Sequence, residues 1–125
     1  MQFDLVSPER RLASTEATAV SLPGTEGDLT IMADHAPVIT TLRPGIVAVE
    51  GGEEYIVTGG FAEVTASGVS VLAEMAVAKS EAKAAMIDEV LEGARTRASE
   101  ASGESKDTAD KYVADLEALK AAAGL

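Results

Sequence analysis

The chain has no cysteine, no tryptophan and no asparagine. Without cysteine there is no disulfide framework, no thiolate zinc site and no cysteine nucleophile. That composition suits a reducing compartment. Without asparagine there is no N-glycosylation acceptor. Aromatics are scarce, two Phe and two Tyr in 125 residues. A free-standing carbohydrate or peptide binder would have little from which to build an aromatic platform. No apolar stretch reaches the ~20 residues needed to span a bilayer, so direct membrane insertion is not expected. The opening Met1-Gln2-Phe3-Asp4 lacks a basic region leading into an apolar run, so neither a secretory signal nor a transit peptide is expected. Bases are also short: 10 against 21 acids, a formal net charge of -11. Phosphate backbones need Lys and Arg, which excludes nucleic acid as a partner. The same deficit argues against docking on anionic lipid.

What is present changes character near Ser80. Before it, Val, Ile and Thr alternate with polar residues and Gly or Pro recurs every several positions; after it, Gly is scarce, Pro is absent and Ala, Glu, Lys and Leu dominate. The apolar period switches from 2 to 3.6. The first half reads as short strands: Phe3 to Ser7, a longer run from Arg11 to Leu22 stopped by Pro23-Gly24, then Ile46 to Glu50 and Glu54 to Thr58 around a Gly51-Gly52-Glu53 hairpin turn. Gly59-Gly60 marks a bulge or a close backbone approach. Phe61 to Thr65 and Val69 to Met75 follow, separated by a turn at Ala66-Ser67-Gly68. This spacing predicts an antiparallel β-sandwich or flattened barrel over 1–78. Residues 79–125 read as an antiparallel two-helix hairpin, for an α+β chain. Ser80 is the expected first N-cap, and Ser102 or Ser105 the second. Met86, Val90, Ala94 and Ala98, widened by Ile87 and Leu91, form one apolar stripe. Ala109, Tyr112, Val113, Leu116, Leu119 and Ala123 form the other. Only eight of the hairpin's apolar residues are large, too few to order some forty residues alone. The hairpin is expected to lean on the β domain and to be the more mobile half.

Gly24 to Gly45 holds the only His, three Gly and two of the four Pro. His35 stands beside Asp34 without the further donors a zinc or iron site needs, and no serine elbow offers it a nucleophile to activate. Neither a catalytic nor a metal site is expected. Gly24-Thr25-Glu26-Gly27-Asp28 lacks the Gly-Lys-Ser/Thr ending of a phosphate loop, and its two acids would repel phosphate. It reads as a turn that presents Glu26 and Asp28 outward, an acidic docking finger. Gly24, Gly27, Pro37, Pro44 and Gly45 are expected to shape a pair of loops at one end of the sandwich.

The ordered set Gly24-x-x-Gly27-Asp28-Leu29-x-Ile31, His35-Ala36-Pro37-x-x-Thr40-x-Leu42-x-Pro44-Gly45, Gly59-Gly60-Phe61-x-Glu63-Val64 and Val69-x-Val71-Leu72-Ala73-Glu74, followed by two Ala-rich helices, resembles the epsilon subunits of bacterial F-type ATP synthases. Chloroplast epsilon and mitochondrial delta subunits are homologous. The resemblance covers essentially the whole chain. It implies a β-sandwich with a helical hairpin, and a rotor subunit that grips gamma, sits on the c-ring and couples its rotation to the catalytic head while catalysing nothing itself. The loop matching Glu26, Gly27 and Asp28 would meet the c-ring. His35, Ala36, Pro37, Thr40 and Leu42 would lie toward gamma and the ring. The implied location is peripheral, on the cytoplasmic face of a bacterial inner membrane rather than in a plastid or mitochondrion.

In many relatives the hairpin also brakes ATP hydrolysis, with the alpha and beta subunits as partners, and in several an Ile/Leu-Asp-x-x-Arg-Ala motif binds ATP. Here the equivalent stretch is Glu81-Ala82-Lys83-Ala84-Ala85-Met86, with no matching Asp and Met86 in the place of Arg. Ile87-Asp88 follows nearby, but Leu91 stands where Arg is required. No ATP or other cofactor is therefore expected. Lys106, Lys111 and Lys120 are outnumbered by Glu104, Asp107, Asp110, Asp115 and Glu117, so braking is expected to be weak. An ATP-sensing inhibitor is the competing expectation, separable by measuring ATP binding.

Overall fold

The computed structural model describes residues 1–125. Ten strands come first: β1 (Gln2–Val6), β2 (Arg11–Glu16), β3 (Ala19–Gly24), β4 (Gly27–Met32), β5 (Val38–Leu42), β6 (Gly45–Val49), β7 (Glu54–Val57), β8 (Gly60–Thr65), β9 (Gly68–Ala73) and β10 (Ala76–Ala78). A 3-10 turn at Lys79–Glu81 leads to α1 (Ala84–Glu100) and α2 (Glu104–Ala122). The strands form one sheet in the order β10-β7-β6-β3-β5-β8-β9-β1-β2, with β4 added on β3. The ends of that path, β10 and β2, come into contact, so the sheet curls into a nearly closed barrel. Nearly every pairing is antiparallel. The exception is β1 beside β9, which run parallel from Gln2↔Gly68 to Val6↔Leu72.

Alternation along the strands fills the barrel interior. Phe3 and Leu5 from β1, Ala62 and Val64 from β8, and Val69 and Val71 from β9 belong to one continuous core that also takes in Leu22, Ile31 and Val47. Gly60 marks a close approach of backbones. It has φ +130, and a Cβ there would lie 2.1 Å from the Leu72 carbonyl oxygen. The Gly59-Gly60 expectation is met in that form.

The run expected from Arg11 to Leu22 is two strands, broken at Ala17-Thr18, and Pro23 does not stop the second one. The Pro23 carbonyl accepts from the Arg43 backbone N–H at 2.9 Å. Carbonyl and nitrogen of one strand residue point the same way. The missing donor of Pro23 therefore faces the β5–β6 corner and takes nothing from the pairing with β4.

The hairpin turns sharply through Ala101, Ser102 and Gly103, and α2 lies against β6. In α1 the buried residues are Ile87, Leu91, Ala94 and Ala98, spaced by four, three and four. The stripe is therefore centred on Ile87 and Leu91, with Met86 and Val90 half-buried at its edge. In α2, Leu116 and Leu119 are buried. Neither expected serine cap forms. Ser80 lies inside the 3-10 turn and Lys83 takes the N-cap of α1, while Gly103 takes that of α2, both without a side-chain cap bond. Pairing of Ala76–Ala78 with β7 fixes where the strand must end, and residues Ala82 and Lys83 stay extended before the helix can start. A serine cap contributes only about 1 kcal/mol and cannot outweigh that placement.

Candidate functional site: an acidic tip and an apolar row

Strands β3 and β4 form a tight hairpin in register from Ala19↔Met32 to Gly24↔Gly27. Its tip carries Thr25 and Glu26, and Glu26, Gly27 and Asp28 are all exposed. Backbone bonds tie the tip to the neighbouring β5–β6 corner: the Thr25 N–H donates to the Thr41 carbonyl and the Arg43 N–H to the Pro23 carbonyl, each at 2.9 Å. The corner itself is tight. Pro44 is buried, and a Cβ on Gly45 would lie 2.5 Å from Pro23 Cβ. Asp28 is exposed yet paired, its Oδ1 receiving Arg43 Nη2 at 2.5 Å. Glu26 belongs to none of the chain's ion pairs.

The segment expected to share this end of the molecule does not. The run from Gly27 to Met32 is a strand, β4, and it carries the chain roughly 20 Å away. The loop of Ala33 to Pro37 therefore sits at the opposite end of the barrel, where Asp34 donates its N–H to the Ala66 carbonyl in the β8–β9 turn at 3.3 Å. Asp34 has φ +65, and the His35 N–H reaches the Met32 carbonyl at 3.3 Å, a short turn of the kind Asp tolerates. His35 is half-buried, with Nδ1 2.7 Å from the Ala36 carbonyl oxygen. Ala36 and Pro37 are exposed and Thr40 is half-buried. Leu42 is only 4% exposed and belongs to the barrel core, so its side chain offers no surface. The expected pair of loops at one end is thus corrected: Gly24, Gly27, Pro44 and Gly45 shape one end, and Pro37 shapes the other.

Strand β5 spans the two ends and carries what the sequence reading missed. Cross-strand registers align Thr41 with Phe61, Phe61 with Leu72, and Leu72 with Val6 across β5, β8, β9 and β1. Ile39 stands on the same surface, two residues from Thr41. Ile39, Phe61 and Leu72 are 67%, 45% and 46% exposed. They border an open groove of about 670 Å³. Met32 and Val38 are also exposed on the barrel, but large apolar side chains clustered around one groove mark a surface built to be covered. The parity of β8 carried the signal. Ala62 and Val64 are the inward residues, which puts Phe61 outward with Glu63.

The hairpin is fastened to the other side of the barrel. Ile87 and Leu119 meet Ile56 and Val77 in a small cluster, and the Tyr112 hydroxyl donates to the Thr58 carbonyl at 2.9 Å. Burial raises the pKa of Tyr112, with Glu74 adding to the effect; the side chain of Thr58 and the nearby Arg97 oppose it. Along α2, Lys106 pairs with Asp110, Lys111 with Asp115, and Lys120 with Asp88 of α1.

Residues 1–79 match the family described as ATP synthase, Delta/Epsilon chain, beta-sandwich domain. Over 99% of its length the chain is 58% identical to the ATP synthase epsilon chain of Fuscovulum blasticum, of which 96% is covered. It is 56% identical to the ATP synthase epsilon chain of Rhodobacter capsulatus, over 95% of this chain and 92% of the relative. Among solved structures, one chain of the Euglena gracilis mitochondrial ATP synthase, seen with OSCP, F1 and the c-ring, superposes with a TM-score of 0.70. That match has 26% identity and covers 96% of this chain and 79% of the other.

Proposed function

From the premise that this chain belongs to the ATP synthase delta/epsilon family, as an epsilon subunit of the F1 central stalk, we propose that it is a non-catalytic coupling element of the rotor. In this reading the apolar row of Ile39, Phe61 and Leu72 docks on the gamma subunit. The tip carrying Glu26 meets the polar loops of the c-ring at the cytoplasmic face of the membrane. His35, Ala36 and Pro37 extend the gamma-facing surface at the far end of β5, while Thr40 and Leu42, on the face of β5 opposite Ile39, support that strand from within. The observation that carries the proposal is the exposed apolar row. Apolar area of that size is unfavourable in water and favourable once a partner covers it. A single acidic tip suits a basic partner surface, where complementary charge fixes register more than it adds affinity.

Phe61→Glu with Leu72→Glu should abolish co-purification with the gamma subunit while the β-rich circular dichroism of the chain is retained. Retained gamma binding would remove the row from the interface. Glu26→Lys should keep gamma binding and lower ATP-driven proton pumping in the reconstituted enzyme. Unchanged pumping would take the tip off the c-ring.

The hairpin is a weak brake in this reading. Every lysine of α2 is already paired with an acid of the hairpin, so little positive charge remains for acidic catalytic subunits. Deleting the residues after Ala78 should leave ATP hydrolysis close to its original rate, and strong activation would refute this.

A further inference from the structure

The tip contains two carboxylates, and the chain treats them differently. Arg43 projects from the β5–β6 corner, donating from Nη1 to the Gly24 carbonyl at 2.6 Å and from Nη2 to Asp28 Oδ1 at 2.5 Å. One guanidinium thus bridges the end of β3 to the start of β4. Its own backbone is anchored by the bond to Pro23 and flanked by buried Pro44, so the fork starts from a fixed base. Glu26, two residues from Asp28, receives no such partner.

We propose that Arg43 is the positioning residue of the tip: it holds the two strand ends together and cancels the charge of Asp28, leaving Glu26 as the single uncompensated carboxylate offered to a basic partner. This rests on the reading that the tip meets the c-ring. Arg suits the task because its planar fork bonds two acceptors at once in fixed geometry, whereas an ammonium is a point charge on a flexible stem. The pair is not a stability device. The Asp28 side chain is 78% exposed, and exposed ion pairs contribute little to folding. The consequence is local and electrostatic. Without Arg43 the tip carries two free negative charges on a looser turn, a different shape and a different field.

The test combines the isolated full-length chain with the reconstituted ATP synthase. In amide spectra, Arg43→Gln should move the signals of Gly24 to Asp28 and speed exchange of the Thr25 amide by about tenfold, a local opening with the barrel intact. In the reconstituted enzyme, Arg43→Gln should lower ATP-driven proton pumping by roughly two- to fivefold, the scale of one exposed charge contact. Adding Asp28→Asn restores neutrality and should recover part of that loss, as should Arg43→Lys. Tip amides that do not respond to Arg43→Gln would overturn the positioning role, whatever pumping does. Tip amides that respond without recovery by Asp28→Asn would overturn the charge-cancelling half. If Glu26→Gln leaves pumping unchanged while the amides respond to Arg43→Gln, the c-ring reading fails and the positioning role stands.

Discussion

The barrel and the hairpin are held together in different ways. The barrel buries one continuous cluster of 17 residues drawn from most of its strands. The hairpin has one small cluster of its own, Leu91, Ala94 and Leu116, and a second, Ile87 and Leu119 with Ile56 and Val77, shared with the barrel. The barrel is therefore self-supporting, while the hairpin is ordered largely by what it leans on. The order of the hairpin therefore depends on its contact with the barrel more than the order of the barrel depends on the hairpin.

The largest effect expected from breaking this contrast lies in the barrel. Phe3 is fully buried, and Phe3→Ala should cost about 3–5 kcal/mol. Urea denaturation followed by circular dichroism should show strands and helices lost in one transition at lower urea. Survival of the helices after the barrel melts would invert the comparison. Ile87 is equally buried, yet it sits in the small shared cluster. Ile87→Ala should cost about 2–4 kcal/mol, felt by the hairpin: amide exchange should speed up across α1 and α2 while β3 and β6 keep their protection. Equal loss in both regions would show that they unfold as one unit.

Tyr112→Phe removes a single bond to the barrel and should loosen the hairpin by about 1 kcal/mol. The same contact has a pH dependence. Burial first, and Glu74 second, raise the pKa of Tyr112 above 10.0 in the docked state. The neutral phenol is the docked form. Its contribution is complete below pH 10 and fades as pH rises above that value toward the raised pKa. Helix amide exchange in the parent should therefore accelerate above pH 10 more than in Tyr112→Phe, and identical profiles would exclude Tyr112 as the cause. Smallest of all, Lys120→Ala breaks the exposed pair with Asp88 and should cost less than about 1 kcal/mol in thermal denaturation.

The two-part architecture was legible because apolar period is a long-range average that single residues do not spoil. The switch near Ser80, the Gly51-Gly52 hairpin and the buried Leu116 and Leu119 all follow from it. Four local features were not legible, each for a definite reason. The sequence reading assigns no strand to Gly27 to Met32, because Gly, Asp and Thr crowd its start, yet alternation from Leu29 to Ile31 places it in the sheet. Missing that strand put His35 and Glu26 at the same end of the barrel. Helix starts were misplaced because strand pairing fixes them more strongly than a serine cap does. Asp28 read as a free acid because its partner, Arg43, lies across a corner that only the fold closes. Phe61 was hidden by its chemistry, since a large aromatic in a strand suggests core until the parity of Ala62 and Val64 is taken into account.

The parallel seam between β1 and β9 has a consequence for how the protein is made. Gln2 is synthesised well before Gly68, its partner in the parallel pairing. Until then β1 can pair only with β2, and its other edge stays open. Contacts between chain segments so far apart in sequence form slowly. An open strand edge invites pairing with another chain. The growing polypeptide is therefore most exposed to misassociation just before residues 68–73 leave the ribosome.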